Sequence, residues 1–282
     1  MKIAALIAAA AAAAAVVPAG SGGAAGQARI VFRTVHLATP KRPPALYSAL
    51  PSGASRRLLA RGADQAAWSP NRRRIAFAGG GILGQEGIWV MNADGGGRRR
   101  LTRAAGDGDP TWSPDGRRIA YRHALRDNFD LWVVPAAGGA ARPLLETPRA
   151  NELEPDWAPD GRRIAFQSTR SGSIQIWVLD VRSKIARRLT RGLQSVTPDW
   201  SPDGRRIAFS TGGRIAVIGV DGRRLRILPS GRPASADDPA WSPDGSWIAF
   251  QRGGQVLTMR AGGGDLRYVT RAAWGTNGEP DW

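Results

Sequence analysis

Beyond its N-terminal segment the chain consists of short runs of alternating apolar and polar residues, cut by turn-forming residues at regular intervals. Alternation over so few residues predicts half-buried β-strands rather than helices. The runs recur as a word. Asp109 to Tyr121 reads DPTWSPDGRRIAY, and it returns as EPDWAPDGRRIAF from Glu154, TPDWSPDGRRIAF from Thr197 and DPAWSPDGSWIAF from Asp238. A weaker copy, QAAWSPNRRRIAF, starts at Gln65. The tryptophans that anchor the word, Trp68, Trp112, Trp157, Trp200, Trp241 and Trp282, are 44, 45, 43, 41 and 41 residues apart. A period of about 40–45 residues with several strands in each is the signature of a propeller.

Turn chemistry divides each repeat into four strands. Strand A ends at the tryptophan. The Ser-Pro-Asp-Gly turn follows: proline presets φ, aspartate bonds the backbone two residues on, and glycine accepts positive φ. Strand B is the Arg-Ile-Ala-Phe segment, as at Arg163 to Phe166. Strand C is Ile88-Trp89-Val90 and its counterparts Leu131-Trp132-Val133, Ile176-Trp177-Val178, Ile215-Ala216-Val217 and Val256-Leu257-Thr258. Strand D is the Arg-Arg-Leu-Thr type, at Arg99 to Thr102 and Arg187 to Thr190. Before Trp68 the chain offers strands B, C and D (from Ile30, Leu46 and Arg56) without an A, and it ends in Glu279-Pro280-Asp281-Trp282, an A without a blade. The two fragments complete each other. The fold class is therefore all-β, a six-bladed β-propeller of four-stranded blades over residues 28–282, its ring closed by the C-terminal strand pairing into the first blade.

These repeats resemble those of the TolB propeller and of the propellers attached to prolyl-oligopeptidase-type enzymes, over about residues 28–282. They differ from true WD repeats, since neither Gly-His nor a terminal Trp-Asp recurs. The resemblance implies a non-catalytic binding module whose partner, an envelope or secreted protein or peptide, is engaged at the channel mouth. It covers the propeller only. Strand B begins almost directly after the N-terminal segment, so the α/β domain that precedes the propeller in TolB, and its contact with TolA, are not carried over.

That N-terminal segment reads as an export signal. Lys2 supplies a positive start, Ile3 to Val17 is an unbroken apolar run of 15 residues, and Val17-Pro18-Ala19 begins a stretch of small residues. A membrane span needs about 18 or more apolar residues. A signal peptide within residues 1–25, cleaved after Ala19 or shortly later, is expected, with a retained anchor as the alternative. The mature chain is then periplasmic or extracellular, soluble and a monomer.

Composition narrows the chemistry. With no cysteine, disulfides and thiol nucleophiles are excluded, and His36 and His123 are the only histidines. No Gly-x-Ser-x-Gly elbow is present. Propeller lyases use metal-binding histidine clusters, and two histidines in different blades do not make one. Hydrolysis by paired carboxylates is the enzymatic reading left open. No cofactor is expected, and a channel cation such as calcium, though compatible with the fold, is indicated by no residue pattern. The formal charge is +17, and 37 of the 40 basic residues are arginine. Genomic base composition accounts for such arginine usage without any polyanion ligand, and export argues against a nucleic-acid target.

Two sets of candidate site residues remain. Acidic residues recur at the start of strand A, at Asp109, Glu154, Asp238 and Glu279, and again directly before the tryptophan, at Asp156, Asp199 and Asp281. Positions two apart on a strand point the same way, so both could face the channel and offer an acidic ring to a cation, an amine or a basic segment. The alternative is that the acids bond neighbouring backbone groups and only organise the blade. Trp274, outside the repeat word in the last D–A connection, is expected as an exposed anchor for a partner. The opposite face, with the Ser-Pro-Asp-Gly turns, carries Arg117, Arg118, Arg162, Arg163, Arg205 and Arg206, a candidate surface for an anionic wall polymer. The B–C loops vary, long at Gly79–Gly87, Arg122–Asp130 and Gln167–Gln175 and short in two other blades, and function tends to reside on variable loops over a rigid scaffold.

Overall fold

In a computed structural model of the chain, residues 28–35, 43–79, 84–125, 128–230, 235–271 and 275–282 are described. They form six four-stranded antiparallel sheets, each in the order A-B-C-D from the axis outward. The A strands are Ala63–Trp68, Gly108–Trp112, Glu152–Trp157, Ser195–Trp200, Ala236–Trp241 and Thr276–Asp281. Each packs against the A strand of the next blade, and together they ring the axis. We number the blades from the one containing Ile30–Val35.

Closure takes the expected form. Thr276–Asp281 pairs antiparallel with Ile30–Val35, which continues to Ala45–Ala49 and Arg57–Arg61. The first blade is thus assembled from both ends of the chain.

The six repeat tryptophans are all buried. Each fills the seam between two blades. Trp200, for example, packs with Ala165, Ile176 and Val178 of blade four and with Ile207 and Phe209 of its own blade. Burying a ring of this size stabilises the junction by a few kcal/mol at about 25 cal/mol per Å². The turns behave as their residues dictate. Asp160 Oδ1 accepts the Arg162 N–H at 2.8 Å, and Gly161 takes a φ of 69°. In the weak copy Arg72 occupies that left-handed position with a φ of 59°. Its guanidinium stacks 4.6 Å from the Trp68 ring and bonds the Arg29 carbonyl at 2.6 Å, contacts that offset the strain.

One loop differs from expectation. Arg122–Asp130 is not a long B–C loop, because strands B and C of blade three run on to Leu125 and from Asn128, paired through His123↔Asp130 and Leu125↔Asn128. Extra ladder bonds and the packing of His123 on Trp132, centroids 4.4 Å apart, hold the extension. Strand D is also shorter than its four-residue word, for only Arg99–Arg100 pair in blade two. Thr102 then turns inward, its hydroxyl accepting the Ile88 N–H at 2.9 Å.

Deleting residues 276–282 should leave Ile30–Val35 as an open inner edge and remove Trp282 from its seam. The truncated chain is expected to aggregate and lose its cooperative thermal transition, read by size-exclusion chromatography and calorimetry. A monomeric truncation with an unchanged transition would show that closure is dispensable.

Candidate binding site at the channel mouth

Every A strand carries a β-bulge just before its tryptophan. The A–B register slips between Asp64 and Ala66, Gly108 and Thr111, Leu153 and Asp156, Val196 and Asp199, Asp237 and Ala240, and between Val31 and Arg33 in the closing blade. The residue at the bulge is left-handed in all six: Gln65, Asp109, Glu154, Thr197, Asp238 and Glu279, with φ between 48° and 56°. Five of them precede proline, which lacks an N–H and is tolerated within a sheet mainly at edges and bulges. The first acidic position is itself the bulge residue, so a simple period of two does not relate it to the second, and they make different contacts.

The set before the tryptophan clamps neighbouring blades. Asp281 Oδ2 accepts the Trp68 N–H at 2.5 Å, Asp156 Oδ2 the Trp200 N–H at 2.6 Å, and Asp199 Oδ2 the Trp241 N–H at 2.7 Å. Thr111 Oγ1 does the same for Trp157 at 3.3 Å. Burial, then repulsion from Asp199, holds the Asp156 carboxyl well above its ordinary range. Burial raises Asp281 to about 7, offset in part by the Trp68 N–H and Arg72.

The set at the bulge forms a second chain of bonds. Gln65 Oε1 accepts the Asp109 N–H at 3.1 Å, and Asp109 Oδ2 accepts the Glu154 N–H at 3.3 Å. Asp238 accepts the Glu279 N–H. Elsewhere another residue takes the duty: Gln167 Oε1 accepts the Thr197 N–H at 3.2 Å, and Asp64 Oδ1 the Gln65 N–H at 3.0 Å. Two arginines from B strands supply counter-charge. Arg33 reaches Asp64 at 3.1 Å and Glu279 at 3.0 Å, and Arg122 reaches Asp109 at 3.2 Å. Among the described residues Glu154, fully buried, has no partner on either carboxylate oxygen, and Asp109 Oδ1 and Glu279 Oε2 are also unpartnered. Burial raises all four carboxyls, those of Glu154, Asp238 and Glu279 strongly. The next cause is Asp109 for Glu154, Asp237 for Asp238 and Asp64 for Glu279, whereas Arg122 opposes the rise at Asp109.

On the opposite face the two arginines of each word divide. Arg118, Arg163 and Arg206 lie 4.8, 4.7 and 4.7 Å over the tryptophan rings of the next blades, while Arg117, Arg162 and Arg205 are exposed. Trp274 lies outside the described residues, as does His36. His123 pairs with Asp107 at 2.6 Å. Sequence reasoning missed Arg33, Arg122, Gln167, Asp64 and Asp237. Arg33, Arg122 and Gln167 directly follow the aromatic residue of strand B, a polar position that could have marked them. It also missed a cavity of about 750 Å³ at the seam of blades six and one, lined by Pro51, Pro243, Trp247, Tyr268 and Trp282. The signal there was Ser246-Trp247 in place of the usual Arg-Arg.

A six-bladed propeller with acid-lined inner strands is thus the class that fold and site define. The sequence profile of the TolB β-propeller domain family matches residues 65–282, and the chain belongs to that family. Among solved structures it is similar to TolB from Acinetobacter baumannii, with a TM-score of 0.77 and 23% identity over 90% of this chain and 66% of that one. A putative TolB from Agrobacterium tumefaciens gives 0.62 and 21% over 87% and 100%, and a chain of a nidogen/laminin complex 0.73 and 10% over 90% and 98%. The chain spans slightly less than two thirds of the Acinetobacter protein. No curated protein matches it.

The shift at Asp281 has a pH consequence. The ordinary aspartate value is about 3.9. With the folded value raised to about 7, the native state binds the extra proton between those limits, so this group's contribution to stability is full below about pH 4 and is lost as pH rises through 7. Asp281→Asn keeps an acceptor for the Trp68 N–H and removes the titration. Urea unfolding at about pH 4 and pH 8 should show the variant gaining on wild type by about 2–4 kcal/mol at the higher pH. A difference independent of pH would exclude the shift.

Proposed function

We propose that this chain is an exported, non-catalytic binding scaffold of the cell envelope, and that a protein or peptide partner docks over the channel mouth. The observation that carries the reading is the buried carboxylate of Glu154, left without a partner among the A strands. Leaving a buried polar group unsatisfied costs about 1–3 kcal/mol, more when charged, and such a feature is tolerated where a ligand completes it. Membership of the TolB β-propeller domain family supports the reading. Export rests on the N-terminal segment, residues 1–25. Among the described residues no helix is long and apolar enough to cross a membrane. A second reading, an anionic wall polymer on the opposite face, is favoured by exposed Arg117, Arg162 and Arg205 on successive blades.

The test is affinity capture from envelope and culture-fluid fractions. Native protein runs beside a variant carrying Asp109→Asn, Glu154→Gln, Asp238→Asn and Glu279→Gln, both first shown to fold by circular dichroism. A partner retained by the native protein at about 1 M salt and lost by the variant is expected, since surface charge is screened within about 3 Å there. Material that leaves both proteins alike as salt rises would transfer the function to the arginine face.

A further inference from the structure

In two blades the acid at the bulge has an explanation internal to the fold: it accepts the bulge N–H of the next blade. Asp109 does so for Glu154, and Asp238 for Glu279. Glu154 is released from that duty, and so is Glu279, since Asp64 Oδ1 takes the Gln65 N–H. Glu154 differs in that, among the described residues, no arginine pairs with it, while Arg33 pairs with Glu279. The N–H that Glu154 would serve, on Thr197, is taken by Gln167 Oε1 at 3.2 Å. Its two oxygens are buried and unpartnered, and the charges that act on it come from three other blades: Asp109 and Arg122 of blade three, Asp238 of blade six and Glu279 of blade one. Influence from those directions together places the carboxylate on the axis side. Asp109 Oδ1 and Glu279 Oε2, each unpartnered, belong to the same surround. The arginines are already committed, Arg122 to Asp109 and Arg33 to Asp64 and Glu279.

We propose that the partner engaged at the channel mouth inserts a cationic side chain, guanidinium or ammonium, which Glu154 receives with the free oxygens of Asp109 and Glu279. The inference rests on the docking reading above and names the chemistry of the group that enters. An organic cation suits this surround better than a metal ion. Calcium draws six to eight oxygens to within about 2.3–2.6 Å, and among the described residues no group of three or more histidine or acidic side chains converges in that way. A guanidinium instead spreads five N–H donors over acceptors at about 2.7–2.9 Å and can bridge separated carboxylates. Entry of the cation favours the ionised carboxylate, so binding releases a proton to solvent, and affinity rises with pH. Asp109, Asp238 and Glu279 titrate beside Glu154, and Arg122 faces it as a fixed charge.

The experiment uses the full chain and a capped Gly-Arg-Gly peptide, its uncharged citrulline counterpart, agmatine and calcium as probes, followed by calorimetry at about 0.15 M salt. The arginine peptide should bind about tenfold or more tightly than the citrulline peptide, and Glu154→Gln should weaken it about tenfold. Affinity should increase from pH 5 to pH 8 in the native protein and rise less steeply in the variant. Equal binding of the two peptides, no binding of either, or an unchanged Glu154→Gln overturns the proposal. Agmatine binding as tightly as the peptide identifies a free amine as the ligand, and calcium excluding the peptide through Glu154 identifies a metal site; either also overturns it. The arginine–citrulline comparison needs only native protein, so a misfolded variant would not shelter the idea. If capture from envelope fractions succeeds while the peptides bind alike, this inference fails and the docking function stands. If the arginine peptide binds through Glu154 while no partner is captured, the channel cation site is real and the docking reading fails.

Discussion

The constraint on which the rest of the structure depends is the inner edge of each blade. Six A strands ring the axis with one side unpaired, and at that side the backbone N–H groups have no further strand to bond. Buried N–H groups almost always find acceptors. Here the acceptors are side chains of the neighbouring blade: Asp281, Thr111, Asp156 and Asp199 for the tryptophans, and Gln65, Asp109 and Asp238 at the bulges. The same bonds join blade to blade. Acidic residues on the inner strands are thus in part a by-product of satisfying edges, and three of the six tryptophan seams are bonded through them.

This explains why the repeat word was informative. The turn, the alternating strand and the tryptophan are local, so Ser-Pro-Asp-Gly, Arg-Ile-Ala-Phe and the roughly forty-residue period could be read directly, and the incomplete first and last repeats announced the closure through Thr276–Asp281. The site was legible only in outline. Sequence reasoning could place Asp109 and Glu154 on the same kind of strand. It could not separate them, because their difference lies in which B-strand residue reaches the axis: Arg122 beside Asp109, Gln167 toward Thr197. Those contacts cross blades and depend on a register slip. The slip itself had a signature, an acid or threonine followed by proline within a strand, that a strict period of two overlooks.

Where function is concerned, departures from the repeat matter more than the repeat. A residue common to all blades is explained by the duty common to all blades. Trp247 replaces an arginine that in three other blades covers the neighbouring tryptophan, and a cavity opens beside Trp282. Glu154 keeps the acid of the word but loses its task to Gln167. The basic face shows the converse. Arg118, Arg163 and Arg206 are stacked on tryptophans, so about half of the arginines proposed there for polyanion binding are already explained by packing.

A protein of charge +17 with carboxylates along its axis presents two electrostatic ranges. At physiological salt the outer field decays over about 8 Å, and it repels cations until they arrive at the surface. Inside the channel the screening is poor and hydrogen-bond geometry governs. A cation that reaches the acids is therefore held by hydrogen bonds there and not drawn in by the outer field. Such a site is a poor scavenger of free cations. Under the proposed function, it would check one side chain of a docked partner.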